Sequence, residues 1–347
     1  MGKMSNYQFD SLKFATEGLT GFGTTVIQNQ AGLPSFMVPV NKRTNAQLFG
    51  GSEKTHSAFV VDDVEYDRFL ASKFINCIID GYALSWPGMD PKANITFDQA
   101  MAACNANGDG FHMMSIPERA VIDWLIYKSG FVPHGNTSYG SSHKAAYEVG
   151  EPSMARDSSN RIQRTATGSG PATWFHDGTR SGIADWVGDV WKWFSNMRIV
   201  DGEIQIFVGN LAAKQVSHAA SSTYWKAILP SGQLVEPGTA GTLKFTSTLT
   251  IGTDRVAAAT PSKAFSAIAA ASGVSIPEII KELHLIPVDG ITGYEGTVYL
   301  NTDGERLPFG GGGWGHTSYA GPSALSLGDP RSNSSASIGF FSAFMEL

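Results

Sequence analysis

Two cysteines and eight histidines are the residues on which catalysis or metal binding could turn in this 347-residue sequence. Cys77 and Cys104 supply all the thiols, and no cysteine follows Cys104. Met1 to Ser11 lacks the apolar stretch of a signal peptide. Two buried thiols are therefore expected over a Cys77–Cys104 bridge. The histidines form no His-Glu-x-x-His pair and no Gly-x-Ser-x-Gly elbow occurs, so zinc-protease and serine-hydrolase chemistry have no support. Asn105-x-Asn107-x-Asp109-Gly110 partly mimics a calcium loop. It lacks the leading Asp and carries Ile116 where a bidentate Glu should stand, so it reads as a helix-ending turn. Trp186, Trp191 and Trp193 could stack on a sugar, but three tryptophans in one short motif read first as packing. The remaining candidate is the tail from Phe309 to Leu347. It is rich in Gly, Ser and Ala and free of Lys and Gln, with Trp314, Leu325, Leu327, Arg331, Asn333, Ile338 and Phe340 spaced through it.

The elements that must position such residues can be read from patterning. Only 16% of residues are charged, with 39 glycines and 8 tryptophans, which points to a loop-rich protein containing β-structure. A net charge of -6 leaves no basic footprint for nucleic acid, and no apolar run is long enough for membrane insertion. Residues 1–54, with turn formers such as Gly18, Gly21, Gly23 and Gly50-Gly51, read as a separate strand-and-loop element for attachment or oligomerisation. The Gly18 to Gly23 stretch lacks the spacing and the Lys-Ser/Thr pair of a nucleotide loop. From residue 55 a second unit begins. Asp62-Asp63 predicts a hairpin turn, and Phe97, Ala100, Met101 and Cys104 share one face of a helix after Thr96. Ser115-Ile116-Pro117-Glu118 predicts a capped helix to Lys128 with a stop at Gly130, and the same letters at 275–278 predict a shorter one. Residues 134–181 read as a long packed loop. Trp191 and Trp193 share a strand face, Asp201-Gly202 marks a hairpin, and 210–270 looks like an insertion.

Several of these segments resemble one family in order. They are Tyr82 to Asp90, Gly110 to Met114, His134-Gly135-Asn136, Thr165 to Gly168, Trp174 with His176 to Thr179, Gly188 to Trp193, Asp201 to Ile206, Glu305 to Pro308 and the tail. The series, over roughly 55–347, resembles the C-type lectin fold of the formylglycine-generating-enzyme subtype, as found in phage and bacterial variable proteins diversified by retroelements. The fold class expected is α+β, with twisted antiparallel strands, two main helices and long loops.

The resemblance implies a variable, ligand-binding region at about 310–341. Family enzymes of this subtype use a cysteine pair in the C-terminal part of the fold, and its absence here implies a binding protein rather than an oxidase. Adenine mutagenesis of Asn codons reaches any residue except Trp, Met, Gln, Lys or Glu. The slots it implies are Gly315, His316, Tyr319, Ser326, Gly328, Asp329, Ser335, Ala336, Ser337 and Phe341, all reachable. Trp314, Leu325, Leu327, Ile338 and Phe340 are the expected core anchors, while Arg331 and Asn333 are expected to tie down neighbouring carbonyls. His316, Tyr319 and Phe341 are the expected contact residues. The implied partner is a protein or glycan on a cell surface. The implied setting is a phage tail tip, with bacterial surface display as the alternative. The N-terminal element is expected to allow oligomerisation, for instance as a trimer. No cofactor is implied, although the fold admits a structural calcium ion that the sequence does not locate.

Overall fold

Ser115 opens the central helix, Ile116–Ser129. Its hydroxyl accepts the Glu118 amide, the Glu118 side chain reaches back to the Ser115 backbone, and Gly130 ends the helix at φ 74°. The chain is known from a computed structural model that describes residues 4–254 and 257–347. Residues 1–3, at the head of the expected N-terminal element, and 255–256, within the expected insertion, lie outside the described residues. The helix is buried on nearly every side, so its polar residues must find partners inside. Glu118 pairs with His112 at 2.9 Å and accepts from Asn210 at 3.0 Å. Arg119 lies 3.2 Å from Asp123, and the indole of Trp186 donates to Asp123 at 2.8 Å. The second main helix, Phe97–Asn105, is capped by Thr96 and Gln99 and buries Phe97, Ala100, Ala103 and Cys104.

Among the described residues the architecture is α+β, with three larger sheets around these helices. One is antiparallel in the order Thr25–Gln28, Pro34–Asn41, Arg68–Ser72, Ser342–Phe344, Phe111–Met113. The last strand of the chain therefore lies between two early ones. A second carries the tail in the order Ser262–Ala264, Thr297–Leu300, Leu325–Leu327, Phe309–Gly310, Trp191–Trp193, Ile338–Phe340. Two of its pairings, Thr297–Leu300 with Leu325–Leu327 and Trp191–Trp193 with Ile338–Phe340, are parallel, a departure from the purely antiparallel expectation. Parallel neighbours require long connections, and the one between Thr297–Leu300 and Leu325–Leu327 carries the exposed Gly315 and Tyr319. The third sheet grows from the hairpin Met197–Val200/Glu203–Ile206, whose turn has Asp201 at φ 49° and Gly202 at φ 82°.

Three expectations change. Residues 1–54 do not stand apart as a strand-and-loop arm. They open with a helix, Asn6–Thr20, which buries no residue, and then enter the first sheet through Pro34–Asn41 paired with Arg68–Ser72. The 210–270 stretch widens the third sheet with strands such as Lys226–Ile228 and Lys244–Phe245 instead of merely decorating it. The second Ser-Ile-Pro-Glu run gives a helix, Glu278–Glu282, that starts after Pro277 with no side-chain cap. Its Glu278 instead accepts from Asn45 and Ser52, at 2.9 and 2.8 Å, so the cap is lost to a tertiary contact.

Arg119 also donates to the carbonyls of Pro322 and Ala324, at 2.6 and 3.3 Å, and so joins the central helix to the tail. Replacing it leaves the Pro322 carbonyl without a donor and the buried Asp123 carboxyl without its counter-charge. Arg119→Ala is expected to lower unfolding free energy by about 3–5 kcal/mol in urea titration, and an effect below about 1 kcal/mol would show that the join is dispensable.

Candidate binding face

The tail is fixed through its backbone and a few inward side chains. Leu325, Leu327, Ile338 and Phe340 are all buried. Phe309 packs edge-on against Trp191 and Trp193, with centroids 5.2 and 4.8 Å apart. Trp314 is only half-buried. Its backbone is the firmer tie, with its amide on Asp189 O at 2.9 Å and its carbonyl receiving the Tyr139 amide at 2.7 Å. Arg331 bonds both Glu305 oxygens, at 2.8 and 3.0 Å, the Asp98 carboxylate at 2.9 Å and the His218 carbonyl at 3.0 Å. Burial opposes it, but the bonds from Arg331 and Arg198 hold the Glu305 carboxyl below its ordinary range. Arg331 thus ties one carbonyl and, more strongly, two carboxylates.

The loop 331–337 is held almost entirely by main-chain acceptors. Ser335 O receives the Asn94 amide at 2.9 Å, Ala336 O the Arg164 guanidinium at 3.0 Å, and Ser337 O the Trp191 amide at 2.8 Å. No side chain of the loop is needed for those three bonds. Ala336 is exposed and Ser335 and Ser337 are partly so, along with Ser332 and Ser334, which sequence reasoning did not single out. Gly315 and Tyr319 are exposed on the neighbouring loop, Tyr319 by 56%.

Between the two loops lies an open depression of about 350 Å³. It gathers six of the expected slots, His316, Ser326, Gly328, Asp329, Ser335 and Ser337, together with Asn333 and Ile338. Asn333 therefore contributes to this face rather than bracing a carbonyl. Trp191, Tyr299 and Phe309 complete the lining. The Trp191 indole donates to His316 Nε2 at 3.3 Å, with the rings edge to face 5.0 Å apart. Burial pushes the His316 imidazole below its ordinary pKa, against the backbone of Gly313. Burial raises the Asp329 carboxyl, opposed by the charge of Arg306.

Phe341 is the expected slot that the structure removes from the surface. It is fully buried and stacks on Trp186 with centroids 5.5 Å apart, because the chain turns there from the Ile338–Phe340 strand into Ser342–Phe344 and the side chain falls inside. Ser326 is also largely buried, its side chain on the floor of the depression. The glycines divide in the same way. A Cβ at Gly312 would sit 2.5 Å from that of Ala320 with φ at 81°, whereas one at Gly328 would meet nothing nearer than 3.4 Å. Tyr299 and Tyr139 were missed. Tyr299 reaches the face only because its strand pairs with Leu325–Leu327 across a long separation, and Tyr139 through the bond to Trp314, with Arg161 4.0 Å over its ring. Neither has a local sequence signal.

No protein-family model and no curated protein matches the chain. Among solved structures it is similar to the Major Tropism Determinant P3c variant, at 13% identity and a TM-score of 0.33, covering 89% of this chain and 62% of that one. It is similar to PvdO from Pseudomonas aeruginosa at 12% identity and a TM-score of 0.37, over 92% and 97% of the two chains. It is also similar to Treponema denticola variable protein 1, at 11% identity and a TM-score of 0.35, over 92% and 98%. At these identities any likeness is one of fold, and what this chain binds has to be read from its own residues.

The division between inward and outward positions is measurable. Phe341→Ala is expected to cost about 3–5 kcal/mol of stability by chemical denaturation, while Ala336→Asp and Gly328→Ser stay within about 0.5 kcal/mol of the parent. Equal losses at all three positions would contradict the division.

Proposed function

We propose that this chain is a non-enzymatic binding protein of C-type lectin-like fold whose segment 310–341 is diversified by a retroelement and recognises a protein or glycan on a cell surface, at the tip of a phage tail. One observation carries the reading. The carbonyls of Ser335, Ala336 and Ser337 are bonded to distant parts of the fold while their side chains face outward. Substitution there changes the surface and leaves the supporting bonds in place, which is what a diversifiable face requires.

Oxidase chemistry is disfavoured by the thiols themselves. Cys77 and Cys104 are free and buried, and burial pushes the Cys77 thiol to about 11 and Cys104 well above its ordinary value. Neither supplies a thiolate at neutral pH. Among the described residues no group of three or more His, Cys, Asp or Glu is placed to hold a metal.

Self-association belongs to the same proposal. The helix Asn6–Thr20 exposes Tyr7, Phe14 and Leu19, with Phe22 just beyond, and copies joined through it would add avidity to a face of small side chains. Sedimentation of the full chain is expected to show an oligomer that Phe14→Glu dissociates; a monomer in both cases removes this part of the proposal.

The test of recognition is binding of the labelled full chain to a panel of bacterial cells. Tyr319→Ala is expected to reduce bound protein by about 10-fold or more without shifting the unfolding midpoint. Unchanged binding by that variant would count against the assigned face. In the surrounding DNA, a near-copy of the segment for 310–341 that differs at adenines, beside a reverse transcriptase gene, is the expected genetic signature. Bacterial surface display is the alternative setting, and a position of this reading frame among phage structural genes would count against it.

A further inference from the structure

The depression on the binding face has two halves that come from different parts of the chain. Trp191, Tyr299 and Phe309 supply the aromatic part and lie outside 310–341; Asp329, Asn333 and His316, the last against Trp191, supply the polar rim and lie inside it. If that segment is diversified, a reading on which this inference rests, the aromatic half stays constant while most of the rim changes. A constant wall cannot tell one ligand from another of its kind, but it can set what kind of ligand is taken.

We propose that the depression binds one pyranose unit of an uncharged glycan, its C–H face against Tyr299 and its hydroxyls on the rim. A space of about 350 Å³ lies near the small end of ligand sites and suits a single sugar unit. Tyr299 is the one partly exposed ring of the wall, while Trp191 and Phe309 are buried and back it, Trp191 standing edge-on at 6.1 Å. The Trp191 indole N–H is already committed to His316, so apart from the Tyr299 hydroxyl the wall offers ring carbon. With only one ring face open, this is no aromatic cage for an ammonium group.

The rim supplies what a polyol needs. Among the described residues, neither the Asp329 carboxylate nor the Asn333 amide has a hydrogen-bond partner, and each presents a planar pair of polar atoms that can engage neighbouring hydroxyls. No Lys or Arg lines the depression, and Asp329 repels carboxylate, sulfate and phosphate. That charge balance selects neutral sugars over acidic ones.

The experiment is retention of the full chain on an array of neutral, sialylated and sulfated glycans. A subset of the neutral glycans is expected to be retained, with signal reduced about 10-fold or more by Tyr299→Ala and recovered in Tyr299→Phe, which keeps the ring. Retention of no glycan, of acidic glycans only, or of neutral glycans unaffected by Tyr299→Ala overturns the proposal. A protein ligand would appear as cell binding that Tyr319→Ala weakens, that survives periodate and that protease treatment of the cells abolishes; this overturns the sugar site and leaves the variable face intact. Conversely, retention governed by Tyr299 in a chain whose 310–341 segment has no adenine-mutated copy upholds the sugar site and removes the diversification.

Discussion

The buried guanidinium of Arg119 is the interaction on which the binding face depends. It joins the central helix to the tail at Pro322 and Ala324, and Asp123, which sits beside it, also receives the indole of Trp186. Trp186 in turn stacks on Phe341, where the tail passes from one sheet to the other. Lys192 lies close by, its amine on the carbonyls of Trp186 and Gly188. Burial draws the Lys192 amine down to about 7 and the Asp123 carboxyl up to about 7. Such a cluster gains little net free energy over an apolar one, but its hydrogen bonds admit a single arrangement. Positional accuracy at the foot of the tail is its contribution.

Above that cluster the tail is organised by an exchange of roles between backbone and side chains. Its carbonyls are taken up by donors from Asn94, Arg164 and Trp191, and its inward side chains are few and large. Of the remaining positions, Ala336 and Gly328 place no side chain in a supporting bond, whereas the side chains of His316, Ser326 and Ser335 each accept one. The wall of Trp191, Tyr299 and Phe309 is the counterpart, set by strand pairing with Leu325–Leu327 and Ile338–Phe340.

What could be read from the sequence was local. The helix after Thr96, the cap at Ser115, the turns at Asp62-Asp63 and Asp201-Gly202, and the shared face of Trp191 and Trp193 all follow from a few adjacent residues, and each forms as expected. Along the tail the inward positions Leu325, Leu327, Ile338 and Phe340 were legible because they are apolar residues among small and polar ones. Long-range pairing was not. Pro34–Asn41 joins the core through Arg68–Ser72, Tyr299 enters the site through a parallel neighbour, and Phe341 turns inward at a strand junction. Ser275 shows the limit in the other direction. A sound capping signal lost to a tertiary contact, because Glu278 found Asn45 and Ser52.

The placement of Ser342–Phe344 between Arg68–Ser72 and Phe111–Met113 carries a consequence for synthesis. The first sheet cannot close until Ser342–Phe344 has left the ribosome, since this strand fills the place between two early ones across a separation of most of the sequence. Residues 310–341 must therefore be translated before that sheet can form. A product that stops early, or shifts frame within that segment, leaves two early strands without their neighbour and the frame open. A copy of the chain that lacks Ser342–Phe344 cannot complete this sheet.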